Sequence, residues 1–105
     1  MCQSIILSSN GNTVITYCKK CRNHYIWQNS FLLSFNTPQF QEFVDGIRAK
    51  IGKEEYFLFP DGESRVLLNT PVFEITFTFS FDEWRDFTNT LEEARYMREV
   101  HELIH

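Results

Sequence analysis

The chain has 105 residues, 43% of them hydrophobic and 23% charged, with 4 Gly and 3 Pro, which places it among globular rather than disordered sequences. A net charge of −4 argues against a protein whose main partner is a polyanion, because phosphate binding needs a concentrated cationic face, though it leaves room for a small local basic patch. No apolar run approaches the roughly 20 residues that span a bilayer, and Met1-Cys2-Gln3-Ser4-Ile5 lacks the pattern of a secretory signal. Three Cys cannot all pair within one chain, so a reducing, cytoplasmic location is expected. Eleven Phe mean that aromatic rings supply much of the core.

Residues Ser4 to Ser9 are β-rich, and Asn10-Gly11 predicts a two-residue type I′ turn into a second arm from Asn12 to Cys18. That turn would set Ser4 opposite Tyr17 and Cys2 opposite Lys19. Cys18-Lys19-Lys20-Cys21 turns into a third strand at about His24 to Gln28, and Asn29-Ser30 into a fourth at Phe31 to Phe35. A helix follows from about Thr37 to Ile51, with Phe40, Phe43, Val44, Ile47 and Ile51 on one apolar stripe and Gly52 as its stop. Pro38 sits in the first turn, where its missing N–H costs little.

A second series begins with a strand at Glu55 to Phe59, the turn Pro60-Asp61-Gly62, and a strand at Ser64 to Leu68. After Asn69-Thr70-Pro71, the alternation from Val72 to Phe79 predicts a long strand with Phe73, Ile75, Phe77 and Phe79 on one side. The stretch Phe35 to Phe43 then recurs 44 positions later as Phe79 to Phe87. Asn36 with Gln39 and Ser80 with Glu83 have capping-box spacing, and Phe35 with Phe40 and Phe79 with Trp84 have hydrophobic-staple spacing. The expected fold is therefore α+β, a single domain over 1–105 in the order β-β-β-β-α-β-β-β-α. Two antiparallel meander-plus-helix halves, about 12–51 and 55–97, would carry both helices on one face of a continuous sheet.

The last helix should start near Phe81 and run towards the end. Trp84, Phe87, Leu91 and Ala94 fall on one side, whereas Tyr96, Met97, Val100, Leu103 and Ile104 centre on nearly the opposite side. One segment cannot offer both faces to one sheet. Either the tail bends near Arg95 or those five residues form a homodimer interface, and a symmetric dimer is the expectation.

Cys18-x-x-Cys21 is the one motif with a definite chemical reading. With Cys2 beside it across the hairpin, three thiols converge as in half of a zinc-ribbon site, with zinc the candidate cofactor. His24 is the candidate fourth ligand, with His101 and His105 as alternatives. The other readings are unmetallated thiols or a disulfide with redox sensitivity. A thioredoxin-type role is disfavoured, since the motif turns between strands instead of opening a helix.

Lys19, Lys20, Arg22 and His24 form the one basic cluster, and with Trp27 they supply a candidate surface for single-stranded nucleic acid. Solvated charges on an exposed turn explain them more simply. The sequence contains no phosphate loop, nucleophile elbow or metalloenzyme motif, and no paired carboxylates with a His at telling spacing.

Met1-Cys2, a strand ending in Cys18-x-x-Cys21, and Leu33-Ser34-Phe35 leading to Phe40 and Phe43 together resemble a small bacterial family, a domain of unknown function. The resemblance covers about the first half of the chain. It implies a bacterial cytoplasmic protein with Cys2, Cys18 and Cys21 in one cluster, and carries no activity, substrate or cofactor with it. The leading expectation is a non-catalytic homodimeric interaction module with an unknown protein partner and a Cys cluster. A nucleic-acid-binding module comes second. A ligand binder or enzyme with an aromatic pocket between helices and sheet comes third.

Overall fold

The computed structural model describes residues 4–104. Strands β1 (Ile5–Asn10), β2 (Thr13–Cys18), β3 (Asn23–Gln28) and β4 (Phe31–Asn36) form an antiparallel meander, and α1 (Thr37–Lys50) follows β4 with no linker. Strands β5 (Tyr56–Leu58), β6 (Ser64–Asn69) and β7 (Thr76–Phe79) form a second meander, closed by α2 (Phe81–Ile104). This is the α+β order read from the sequence.

Both strand-to-helix corners are built by the local bonds that their spacing calls for. The Asn36 side chain accepts from Gln39 N–H at 2.9 Å, while Asn36 N–H donates to the Gln39 side chain at 3.0 Å. Ser80 and Glu83 repeat the exchange at 3.3 and 2.8 Å. Each box satisfies N–H groups that a helix start would otherwise leave unpaired. The staples close as well, with ring centroids 6.3 Å apart for Phe35 and Phe40 and 5.6 Å for Phe79 and Trp84. At its far end α1 stops at Ile51, and Gly52 takes a positive φ of 83° that a side chain would disfavour.

Three details depart from the sequence reading. The first hairpin closes on the pair Asn10–Thr13, so its loop is Gly11-Asn12, one residue later than expected. Gly11 has φ +56° while Asn12 stays at negative φ, which fits Gly in the first position of a II′ turn better than the I′ turn expected of Asn-Gly. A register shift between Ile6 and Ser8 then sets Ile5, not Ser4, opposite Tyr17.

The last strand is also shorter than its alternation suggests. Residues 71–74 form bends and a turn, and Phe73 is 93% exposed. Thr70 is the cause. Its hydroxyl lies 2.9 Å from Val72 O and 2.7 Å from Ile75 O and accepts from Val72 N–H at 3.2 Å, while Ile75 N–H donates to Val72 O at 3.0 Å. These local bonds occupy backbone groups that a longer ladder would need.

Finally, the strands form two sheets instead of one continuous sheet. The sheets meet through side chains, as in the Phe31–Phe77 contact at 5.7 Å.

The core is one cluster drawn from every layer. Leu7, Ile15, Ile26 and Phe35 come from the first sheet, and Val66, Leu68, Phe77 and Phe79 from the second. Phe40, Val44 and Ile47 of α1 and Trp84, Phe87, Leu91 and Ala94 of α2 complete it. The Phe79 and Phe87 rings stack at 4.7 Å, and each such buried ring contributes about 1.5–3 kcal/mol. Two polar bonds fix α2 on β1: Ser8 donates to Thr90 O at 2.6 Å, and Asn10 Nδ2 donates to Thr90 Oγ1 at 3.1 Å. No described helix is long and apolar enough to cross a membrane.

Candidate functional site

The β2–β3 turn is a four-residue loop, Lys19 to Arg22, closed by Arg22 N–H donating to Cys18 O at 2.7 Å. Arg22 takes a positive φ of 59° to complete it. Lys19, Lys20, Cys21 and Arg22 are all exposed. Cys18 is fully buried and disulfide-bonded, so its sulfur is not available as a thiolate ligand. The Cys21 N–H points at that sulfur from 3.5 Å. Cys2 and His105 lie outside the described residues.

His24 sits elsewhere. It is paired with Tyr17, whereas Cys18 is paired with Asn23, and successive strand residues point to opposite faces. His24 therefore stands on the helix side of the first sheet and Cys18 on the far side. Its ring stacks on Phe40 at 4.1 Å with an interplanar angle of 6°, and Tyr17 covers it at 4.5 Å. Both ring nitrogens are buried without a hydrogen-bond partner from the protein. Burial, reinforced by the Arg98 charge, lowers its pKa from 6.5 to about 4. His24 is thus a neutral aromatic packing residue in this fold. Among the described residues no group of three or more His, Cys, Asp or Glu converges in a way that could hold a metal ion.

Trp27 is five residues along the chain from Arg22, the last residue of the basic loop, roughly 16 Å at strand spacing. Its neighbours Val14 and Leu32 share its face, away from the helices, and its indole N–H donates to Thr16 Oγ1 at 3.3 Å. The structure therefore does not gather Trp27 with Lys19, Lys20 and Arg22.

The tail of α2 carries the other set of candidate residues. The helix is one uninterrupted segment of 24 residues, about 36 Å long at 1.5 Å per residue, with helical backbone through Arg95. Trp84, Phe87, Leu91 and Ala94 are buried, and Met97 packs partly against the same core. Beyond it the apolar stripe has turned outwards: Tyr96 is 62% exposed, Leu103 88% and Ile104 69%, with Val100 between them half-buried. Ion pairs line this end of the helix: Arg95 with Glu92 and Glu99 at 3.3 and 3.4 Å, and Arg98 with Glu102 at 2.9 Å. Such exposed pairs contribute a few tenths of a kcal/mol each, as ~0.3–0.5.

Sequence reasoning missed one grouping. Ile5 and Tyr17 of the first hairpin, Lys19 of its turn, and Arg98, His101 and Glu102 of α2 enclose a cleft of about 310 Å³. Nothing in the sequence links residues 5 to 19 with residues 98 to 102; only the course of α2 across β1 and β2 does so. Comparison with protein families, with curated proteins and with solved structures finds no match to this chain.

Proposed function

We propose that the chain is a non-catalytic interaction module that associates with a second copy of itself through the outward stripe of α2. The observation that carries this reading is the exposure of Tyr96, Leu103 and Ile104 on a helix that is continuous to Ile104. Soluble surfaces tolerate single apolar residues, but a contiguous stripe marks an interaction site.

The stripe is self-complementary, which favours a second copy over another partner. Along the axis Tyr96 lies about 6 Å before Val100 and Leu103 about 4.5 Å after it; Met97 and Ile104 have the mirrored spacing. An antiparallel copy crossing at Val100 thus sets Tyr96 beside Leu103 of the second copy and Met97 beside its Ile104. Each pair falls on one flank, as a two-fold axis through Val100 requires.

The disulfide at Cys18 favours the redox-thiol form of the cysteine turn over a zinc site. In the cytoplasmic location suggested by the sequence such a bond is reversible, since thiol buffers there keep structural disulfides rare.

A contact of three helical turns is smaller than the standard interface of about 1,600 Å², so the dimer should be weak, with Kd of about tens of micromolar. Sedimentation velocity between about 5 and 500 µM should show a monomer passing into a dimer. Leu103→Glu with Ile104→Glu should hold the chain monomeric throughout without lowering its Tm. A wild-type monomer at every concentration, or a dimer indifferent to those two charges, would remove the proposal.

A further inference from the structure

The cleft between the first hairpin and the last turns of α2 is not used by self-association. Arg98 is two positions from Val100, about 200° around the helix, so cleft and stripe lie on opposite sides of α2. Ile5 and Tyr17 give the cleft an apolar wall, and Lys19, Arg98, His101 and Glu102 give it a polar rim.

Arg98 is the informative residue. One terminal nitrogen, Nη2, donates to the Glu102 carboxylate at 2.9 Å, but its Nε is buried with no acceptor from the protein. A guanidinium takes a carboxylate through N–H groups that the ligand can reach, and its charge strengthens each such bond. The Arg98 Nε, like the unpaired Nε of Arg95, is shut off from solvent and from the cleft, so what Arg98 offers there is the charge and the accessible part of a guanidinium whose side chain is 20% exposed.

The charges narrow the ligand class. Lys19 and Arg98 against Glu102, with histidine counted as neutral, leave the lining one positive charge in a chain of net −4. A monoanion balances that lining, whereas a doubly charged phosphate would stand uncompensated beside Glu102. At about 310 Å³ the cleft is at the small end of ligand pockets, and its apolar wall suits a hydrocarbon or aromatic body.

We infer that this cleft binds a small organic monocarboxylate, held by the cations of Lys19 and Arg98 with its apolar body against Ile5 and Tyr17. Titration of the full chain with 3-phenylpropionate, followed by amide NMR shifts, tests this directly. Saturable shifts should centre on Lys19 and Arg98, and the uncharged 3-phenylpropionamide should bind at least about tenfold more weakly. Lys19→Gln, on an exposed loop where folding is not at stake, should weaken the carboxylate about tenfold, and Arg98→Gln by at least as much. Shifts mapping elsewhere, equal binding of the amide, indifference to Lys19→Gln, or no saturation by about 10 mM would overturn the inference.

Discussion

Replacing Phe87 by Ala should destabilise the chain by about 3–5 kcal/mol and lower its Tm by about 15 °C. Phe87 is fully buried, stacks on Phe79 at 4.7 Å and lies 6.3 Å from Trp84, so its loss opens a cavity where α2 meets the second sheet. The total stability of a domain this size is roughly 5–15 kcal/mol, so the variant would be partly unfolded at the low end of that range. Phe73→Ala is the matched control. The strand pattern places Phe73 on the same face as Phe77 and Phe79, but the Thr70 turn leaves it exposed, and its removal should cost less than about 0.5 kcal/mol. Urea denaturation of both variants checks the pair. Similar losses at the two sites would mean that the turn at 71–74 is wrong.

Stability should also fall steeply in mild acid because of one residue. The His24 pKa is lowered from 6.5 to about 4, first by burial between Tyr17 and Phe40 and then by the charge of Arg98. Between those values the unfolded chain takes up a proton that the folded chain refuses. The stability present above pH 6.5 is therefore lost progressively down to about pH 4, by roughly 3 kcal/mol in all. His24→Leu should abolish this acid limb. At pH 7 it should change stability by less than about 1 kcal/mol, because the ring nitrogens it removes make no hydrogen bonds. Denaturation midpoints at pH 7 and pH 4.5 measure both effects. An acid limb that survives in His24→Leu, or a folded-state ring titrating near its ordinary value, would contradict the placement of this residue.

What was legible in the sequence is what local chemistry decides. The two capped corners could be read because Asn36–Gln39 and Ser80–Glu83 are bonds between residues three apart, and the staples between residues five apart. The change of face along α2 could be read because it is a matter of helical angle alone. The start of β7 could not, since the alternation through Phe73 and Ile75 is overridden by side-chain bonds of Thr70 that hydrophobic periodicity does not register. The first hairpin slipped by one residue because Gly11 can lead a II′ turn as readily as it can end an I′ turn. His24 looked like a ligand from its distance to Cys21, but the pleat turns it to the other side of the sheet from Cys18. The cleft at Arg98 was out of reach, because its walls are joined by the packing of α2 and by nothing in the chain between.

The most direct test of the self-association reading is site-specific cross-linking in a chain carrying Cys21→Ser. Under mild oxidation Val100→Cys should give covalent dimers readily, because a two-fold axis through that position brings the new thiol against its own copy. Glu93→Cys lies on the same side of α2 but, in an antiparallel pair, about 21 Å from its equivalent, and should remain monomeric. Failure of the thiol at 100 to cross-link, or equal cross-linking from 93, would contradict the antiparallel dimer.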